Sequence, residues 1–140
     1  ESIHVELAIS LHAANDALRN KLVPVNKKYP LSQLIPACRE YFKKTGRRPT
    51  FEYASFLGVN DSVEHARELS RLLEGMNCQV NLIAGNPTAC NEFTPSPMKR
   101  VLAFQKMLKD SGVSSTVRVS KGVDIDAGCG QLRSRWIRAQ

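Results

Sequence analysis

Apolar and polar residues alternate strictly from His4 to His12. A period of two is typical of a β-strand with one apolar and one polar face. Three further strands are predicted at 50–56, 78–83 and 114–120, and helices at 17–22, 32–44, 63–74 and 98–110. In the helical stretches the apolar residues recur every three or four positions. Strands that alternate with helical connections predict an α/β fold with about four parallel strands and outer helices.

The polar side of the first strand carries Glu6, Ser10 and His12. In a parallel barrel its apolar side would pack on the outer helices and leave these polar side chains in the lumen. A partly solvated antiparallel strand is the competing interpretation. Four strands are too few to close a barrel on their own.

The loops that follow the four strands are predicted to meet at one edge of the sheet, as the carboxyl ends of parallel strands do. They are Ser10 to His12, the turn near Gly58, Asn86 with Pro87, and the segment 121–130. The last of these holds Cys129 between two glycines. One interpretation is a tight turn that happens to contain cysteine. The other is an exposed, reactive thiol at the barrel mouth, which the convergence of the loops favours.

The length of 140 residues predicts one domain, and the 42% apolar content is enough for a core. No run reaches the roughly 18 apolar residues of a membrane span, and no signal peptide is expected. The first residue is not Met, which predicts a chain cut from something longer. The four cysteines lie far apart and form no CxxC pair, so a structural zinc site is not expected. The expected environment of the protein is a reducing cytosol.

The formal net charge is +7, and most of it lies late in the chain. From Thr94 onward nine Lys or Arg residues face three Asp residues, an excess of +6. A basic surface of this kind suits a polyanion such as RNA. A solvated, solubilising face explains the same excess equally well. Trp136, among three arginines, could stack on an RNA base or cap the bottom of the barrel.

Several ordered segments resemble a known family. They are residues 7–13, 23–29, 58–61, 80–83 with 86–87, and 124–132, which reads Asp-Ile-Asp-Ala-Gly-Cys-Gly-Gln-Leu. Together they resemble the C-terminal part of the radical S-adenosylmethionine (SAM) RNA methyltransferases of the RlmN/Cfr type, over nearly all 140 residues. Each motif alone is weak, whereas the ordered set is highly specific. The resemblance implies that residues 1–140 are the C-terminal half of a radical SAM partial barrel domain.

The resemblance also implies a reaction. SAM first methylates an enzyme cysteine, and a second SAM, cleaved at a [4Fe-4S] cluster, gives a radical that takes hydrogen from the S-methyl group. The methylene then adds to C2 of an adenine in 23S ribosomal RNA, or to C8 in the Cfr branch, and a second cysteine resolves the adduct by forming a disulfide. The methylated cysteine falls on Cys129 and the SAM contacts fall on Ser10, Leu11, His12 and Asn86.

The implied protein is a cytoplasmic monomer that acts on ribosomal RNA, with transfer RNA as an alternative or additional substrate. The family's Cys-x3-Cys-x2-Cys motif, Gly-rich SAM motif, N-terminal RNA-binding domain and resolving cysteine do not occur in these 140 residues. No metal ligand is therefore assigned, and the chain alone is expected to be inactive. The family's Ile-Pro-x-Asn-Pro also reads Ile-Ala-Gly-Asn-Pro at 83–87. A cluster-less RNA-binding module and an α/β domain without a site are the competing functions.

Some side chains keep two interpretations. By strand parity Arg118 and Asn81 share the lumen with Glu6 and Glu52, where Arg118 either pairs with Glu52 or is a plain surface residue. Arg118 and Lys121 could also lower the pKa of the Cys129 thiol. Asp124 and Asp126 either fix their loop or transfer protons. Cys38, on an apolar helix face, is predicted to lie in the core.

Overall fold

Strands and helices alternate through the part of the chain that the structure, a computed structural model, describes: residues 7–84 and 93–119. The strands are β1 (Ala8–Ser10), β2 (Thr50–Ala54), β3 (Gln79–Ala84) and β4 (Ser114–Val119). The helices are α1 (Asp16–Leu22), α2 (Leu31–Thr45), α3 (Val63–Leu72) and α4 (Met98–Asp110), with a 3-10 helix at Pro24–Lys27. This order is the one that the hydrophobic pattern predicts.

The four strands form one sheet in the order β1-β2-β3-β4, and every pair is parallel. The parallel pairing confirms the α/β prediction and shows that the antiparallel interpretation of β1 is wrong. The registers align Ser10 with Glu52, Glu52 with Asn81, and Asn81 with Thr116. These four residues therefore form one row across the sheet, on the face predicted to be polar.

Two predicted strand ends lie two residues beyond the ends in the structure. The first strand ends at Ser10 because the backbone of His12 has a φ of 61°, which cannot continue a strand. Residues 4–6 of that predicted strand lie outside the described residues. The second strand ends at Ala54 because Phe56 turns to form an antiparallel bridge with Pro95.

Two helices begin one residue earlier than predicted, α1 at Asp16 and α2 at Leu31. At the start of α2 the Leu31 N–H donates to Asp16 Oδ1 over 3.0 Å. Helix α3 begins at Val63 as predicted, and its cap, Ser62, forms a reciprocal capping box with His65.

The apolar face of the sheet packs against the helices. Its strand residues include Ile9, Phe51, Tyr53, Val80 and Leu82, and the helices contribute Ile35, Cys38, Leu69, Phe104 and Leu108. The rings of Tyr53 and Phe104 lie 5.0 Å apart between their centroids. Cys38 is buried in this core, as predicted. None of the helices in the described ranges is both long and apolar enough to cross a membrane.

Replacement of Phe104 by Ala tests this packing. Phe104 is buried in the core, so we expect Phe104→Ala to lower the free energy of unfolding by about 3–5 kcal/mol through lost burial and a cavity. The matched control is Leu102→Ala on the same helix, where the side chain is 49% exposed and a change of under about 0.5 kcal/mol is expected. Urea unfolding followed by circular dichroism measures both. Equal losses in the two variants would contradict the assigned faces of α4.

Candidate functional site

A hydrogen-bonded row of side chains crosses the polar face of the sheet. The Thr116 hydroxyl donates to Asn81 Oδ1 over 2.7 Å, and Asn81 Nδ2 donates to Glu52 Oε2 over 3.0 Å. This chain of bonds fixes the Asn81 amide and the Glu52 carboxylate, and the backbone of Glu52 is in register with Ser10. A carboxylate therefore lies at the level of the predicted SAM segment.

Register also decides the two interpretations of Arg118. Arg118 shares the polar face with Asn81 and Glu52, as parity predicts, but it aligns with Ile83, one row further along the sheet. Glu52 is bonded to Asn81, and no ion pair joins it to Arg118 within the described ranges. The predicted Arg118–Glu52 pair is therefore wrong. Glu6 lies outside the described residues.

A buried arginine holds the end of β1. Arg19, only 1% exposed, donates from Nε to the Leu11 carbonyl over 3.0 Å and from Nη2 to the Ser10 carbonyl over 2.8 Å. Its Nη1 donates to Asn26 Oδ1 over 2.8 Å. Burial lowers the pKa of Arg19, yet a guanidinium stays charged at any physiological pH. The backbone of the Ser10–His12 segment is thus fixed by a cation inside the protein.

The charge of Arg19 is balanced through an amide. Asn26 is fully buried, and its Nδ2 donates to Asp16 Oδ1 over 2.9 Å. The same carboxylate oxygen accepts from the Leu31 N–H, and these two bonds hold the pKa of Asp16 below its ordinary value. Arg19, Asn26 and Asp16 therefore tie the end of β1, the 3-10 helix and the start of α2 into one unit.

The His12 side chain points into the protein. It is 1% exposed, and its Nδ1 accepts the Ala54 N–H over 2.9 Å. Burial, together with the charge of Arg19, lowers the pKa of His12 to about 3. The imidazole is therefore neutral at physiological pH, and because Nδ1 is an acceptor its proton is on Nε2.

A second buried amide joins the loop after β2 to the Ser10–His12 segment. Asn60 is fully buried, and its Nδ2 donates to the carbonyls of His12 and Ala54, both over 2.8 Å. Its Oδ1 accepts the Phe56 N–H over 2.8 Å, and the Tyr53 hydroxyl donates to its backbone carbonyl. The predicted convergence of the first two loops is therefore confirmed.

The end of the loop after β3 reaches the same edge. Asp61 accepts a bidentate pair of bonds from Arg100, at 2.7 and 2.8 Å, and a bond from the Ser96 hydroxyl at 2.7 Å. Burial raises the pKa of Asp61, but the bonds from Arg100, Ser96 and the Gly58 N–H outweigh it and leave that pKa lowered. The Asp61 carboxylate thus connects the described end of the third loop, at Ser96, to the second.

The structure brings Ser10, Leu11 and His12 together as a buried segment at the end of β1. The other predicted site residues, Asn86 and Cys129, lie outside the described residues, as do Lys121, Asp124, Asp126 and Trp136. Burial raises the pKa of both Cys38 and Cys78 to about 11, so these thiols stay protonated at neutral pH. No group of three or more His, Cys, Asp or Glu side chains within residues 7–84 and 93–119 is placed to hold a metal ion.

Sequence reasoning missed the roles of Arg19, Asn26 and Asn60. A charged residue in a short helix is ordinarily exposed, and asparagine two residues after a proline or glycine is ordinarily part of a turn. A signal was nevertheless present, because Asn26 and Asn60 both belong to the segments that carry the family resemblance.

The fold matches that of a solved radical SAM enzyme. The chain is 53% identical to the radical SAM methyltransferase from Sphaerobacter thermophilus, with a TM-score of 0.86 over 94% of this chain and 38% of that one. A domain of the pyruvate-formate lyase-activating enzyme from Bacteroides vulgatus is similar in fold alone, with 13% identity and a TM-score of 0.62. These likenesses confirm the partial barrel of the radical SAM type.

Curated proteins of similar sequence share one name. The chain is 50% identical over 135 residues to the probable dual-specificity RNA methyltransferase RlmN of Bacillus licheniformis, 52% over 132 residues to that of Desulforamulus reducens, and 54% over 136 residues to that of Pelotomaculum thermopropionicum. These residues are homologous to the C-terminal part of RlmN-type radical SAM methyltransferases, as the resemblance predicts. The chain spans 37–38% of the length of these relatives. No model of a known protein family matches it.

His12 provides a direct test of the described electrostatics. We expect its ring nitrogens to keep the neutral, Nε2-protonated signature between pH 5 and 8, because its pKa is about 3. The measurement is nitrogen-15 NMR of histidine-labelled full-length protein, with His12→Asn used to assign the signals. Asn retains an acceptor for the Ala54 N–H and tolerates a positive φ. A His12 titration centred near pH 6.5 would contradict the buried placement.

The same shift sets the sign of a pH dependence. An unfolded chain has an ordinary histidine pKa of 6.5, so between pH 6.5 and about 3 it binds a proton that the folded protein does not. Acidification across that range therefore lowers the free energy of unfolding, on the order of 1 kcal/mol per pH unit from this residue. His12→Asn should lose less stability on acidification than the wild type.

Arg19 is expected to be the most costly cation to remove. Arg19→Met should lower the free energy of unfolding by about 3–5 kcal/mol, because two backbone carbonyls and the Asn26 amide lose a buried charged donor. The stability of Arg19→Lys should lie between those of the wild type and Arg19→Met, since an ammonium keeps the charge but not the planar fork. The control Arg67→Met removes an exposed cation paired with Glu64, where under about 1 kcal/mol is expected. Urea unfolding measures the stability of all three variants. An equal loss of unfolding free energy in Arg19→Met and Arg67→Met would refute the assigned role.

Proposed function

We propose that these residues form the C-terminal half of the catalytic barrel of a radical SAM RNA methyltransferase, and that its other half supplies the [4Fe-4S] cluster ligands. The observation that carries the proposal is the 53% identity and TM-score of 0.86 to a radical SAM methyltransferase over 94% of the chain. The proposed substrates are adenine C2 of 23S ribosomal RNA and of transfer RNA. The names of the relatives, probable dual-specificity RNA methyltransferases, support an RNA substrate.

The described residues fit SAM as a ligand. SAM carries a positively charged sulfonium, which a second cation beside it would repel. The neutral His12 adds no such charge, and the buried Arg19 cation is balanced by Asp16 through Asn26. The Glu52 carboxylate, in register with Ser10, supplies a negative charge. When bound, SAM and the cluster would supply the methyl group and the one-electron chemistry. Ser10, Leu11 and His12, held by Arg19, would orient SAM at the carboxyl edge of the sheet, with Asn86 as a further contact.

Cys129 is proposed as the residue that carries the methyl group as S-methylcysteine. Its place in the 124–132 motif supports this role, and the two other cysteines that the structure describes are poor nucleophiles because burial raises the pKa of each to about 11. A second cysteine outside these residues would resolve the adduct with RNA. We further propose that the protein acts as a monomer in the cytoplasm.

Replacement of Cys129 tests the proposal. In the full-length protein, Cys129→Ala should abolish formation of 2-methyladenosine, because no thiol remains to carry the methyl group. Cys38→Ala, a change at a buried core cysteine, is the matched control and should retain at least about half of the activity. Mass spectrometry of nucleosides from treated 23S and transfer RNA measures the product.

Three outcomes would redirect the assignment. Unchanged 2-methyladenosine in Cys129→Ala would remove the proposed carrier. Formation of 8-methyladenosine by the wild type would assign the protein to the Cfr branch. RNA binding by a wild-type protein that never methylates RNA would favour the non-catalytic binding module.

A further inference from the structure

A short basic segment lies beside the Ser10–His12 segment. It comprises residues 24–29, Pro-Val-Asn-Lys-Lys-Tyr, and contains no acidic residue. The connection in which it lies runs from the end of β1 to the start of α2, and α2 leads back to the start of β2. Because β1 and β2 are parallel, this connection lies at the carboxyl edge of the sheet. The basic segment is therefore on the same edge as the proposed SAM site.

The basic segment is fixed rather than loosely attached. Asn26 at its centre is fully buried and accepts from Arg19, the residue that also binds the carbonyls of Ser10 and Leu11. The N–H groups of Lys28 and Tyr29 both donate to the Val25 carbonyl over 3.0 Å, which closes the turn. A single guanidinium thus connects the basic segment to the proposed cofactor segment.

Its outer surface joins cations to an aromatic ring. Lys27 and Lys28 are exposed, and Tyr29 is 50% exposed. The Lys28 Nζ lies 5.7 Å from the centroid of the Tyr29 ring, within the range of a cation–π contact. Among residues 7–84 and 93–119, no carboxylate forms an ion pair with Lys27 or Lys28. The positive charge of the two lysines is thus left to solvent or to a ligand.

We propose that the basic segment, residues 24–29, is a contact surface for the RNA substrate, in which Lys27 and Lys28 bind phosphates and Tyr29 stacks on an unpaired base. The proposal rests on the proposed function, which supplies RNA as the ligand. Lysines beside an exposed aromatic ring are the combination that single-stranded RNA requires, since its backbone is anionic and its bases are free to stack. An acidic protein surface would use the lysines but would gain little from the ring.

The test compares two double variants of equal charge in the full-length protein. Lys27→Ala/Lys28→Ala removes the lysines of the basic segment, and Lys43→Ala/Lys44→Ala removes two exposed lysines from the last turn of α2, at the opposite edge of the sheet. RNA binding is measured by fluorescence anisotropy over a range of KCl concentrations. The first variant should weaken binding by about tenfold or more and reduce the salt slope by about 1.4, the value for two phosphates of a single strand. The second should leave both quantities unchanged.

Tyr29 provides an independent arm. Tyr29→Ala should weaken RNA binding by roughly 5- to 160-fold, the range for loss of one stacked base, whereas Tyr29→Phe should retain it. SAM binding, measured by calorimetry, should be unchanged in all of these variants, which shows that the barrel is folded.

Several results would overturn the inference. Wild-type affinity and salt slope in Lys27→Ala/Lys28→Ala, or equal losses in the two double variants, would show that the basic segment does not contact RNA. Competition by poly-glutamate as strong as that by RNA would indicate an acidic-protein surface instead. If the wild type forms 2-methyladenosine while these variants bind RNA normally, only this inference fails. If the wild type binds RNA and never methylates it, the proposed function fails and the basic segment can still be judged.

Discussion

The site edge of this protein depends on one buried cation. The Arg19 guanidinium donates hydrogen bonds to the backbone carbonyls at the end of β1 and to the Asn26 side chain. An uncompensated charge in such a place would cost several kcal/mol. Here the Asn26 amide relays the interaction, since it accepts from Arg19 and donates to the Asp16 carboxylate. The positions of the strand end, the 3-10 helix and the first turn of α2 follow from that arrangement.

Buried amides connect the loops where apolar packing does not. Asn26 and Asn60 are both fully buried, and each joins separate segments of the chain. An amide suits this purpose because it donates and accepts at once, so it can satisfy carbonyls and N–H groups of different loops. The edge of the sheet that bears the proposed site is therefore ordered by specific hydrogen bonds, while the opposite side of the strands is ordered by apolar contact with the helices.

The hydrophobic period was enough to predict the elements and the faces of the sheet. Burial on one side makes every second residue of a strand apolar, and every third or fourth residue of a helix. It could not predict register. Parity placed Arg118 and Glu52 on one face correctly, but their rows are set by strand pairing, which aligns Arg118 with Ile83. The end of β1 was likewise missed, because the positive φ of His12 depends on bonds to Ala54 and Asn60 that lie 42 and 48 residues away.

The candidate site was predictable to a similar extent. The Ser10–His12 segment was found through a family pattern, and the structure shows it fixed at the expected edge of the sheet. The residues that fix it were not found, because Arg19 and Asn60 act on backbone carbonyls. A sequence pattern shows which side chains are present but not which main-chain atoms they bind.

The two unlike faces of the sheet have a thermodynamic consequence. Exposure of apolar surface raises the heat capacity on unfolding, and exposure of polar surface lowers it. On unfolding, the face with Glu52, Asn81 and Thr116 exposes polar surface, and the face with Phe51 and Leu82 exposes apolar surface. The heat-capacity increment of this unit should therefore be smaller than that of a parallel sheet packed with aliphatic side chains on both sides. Its free energy of unfolding should therefore change less with temperature than that of such a sheet.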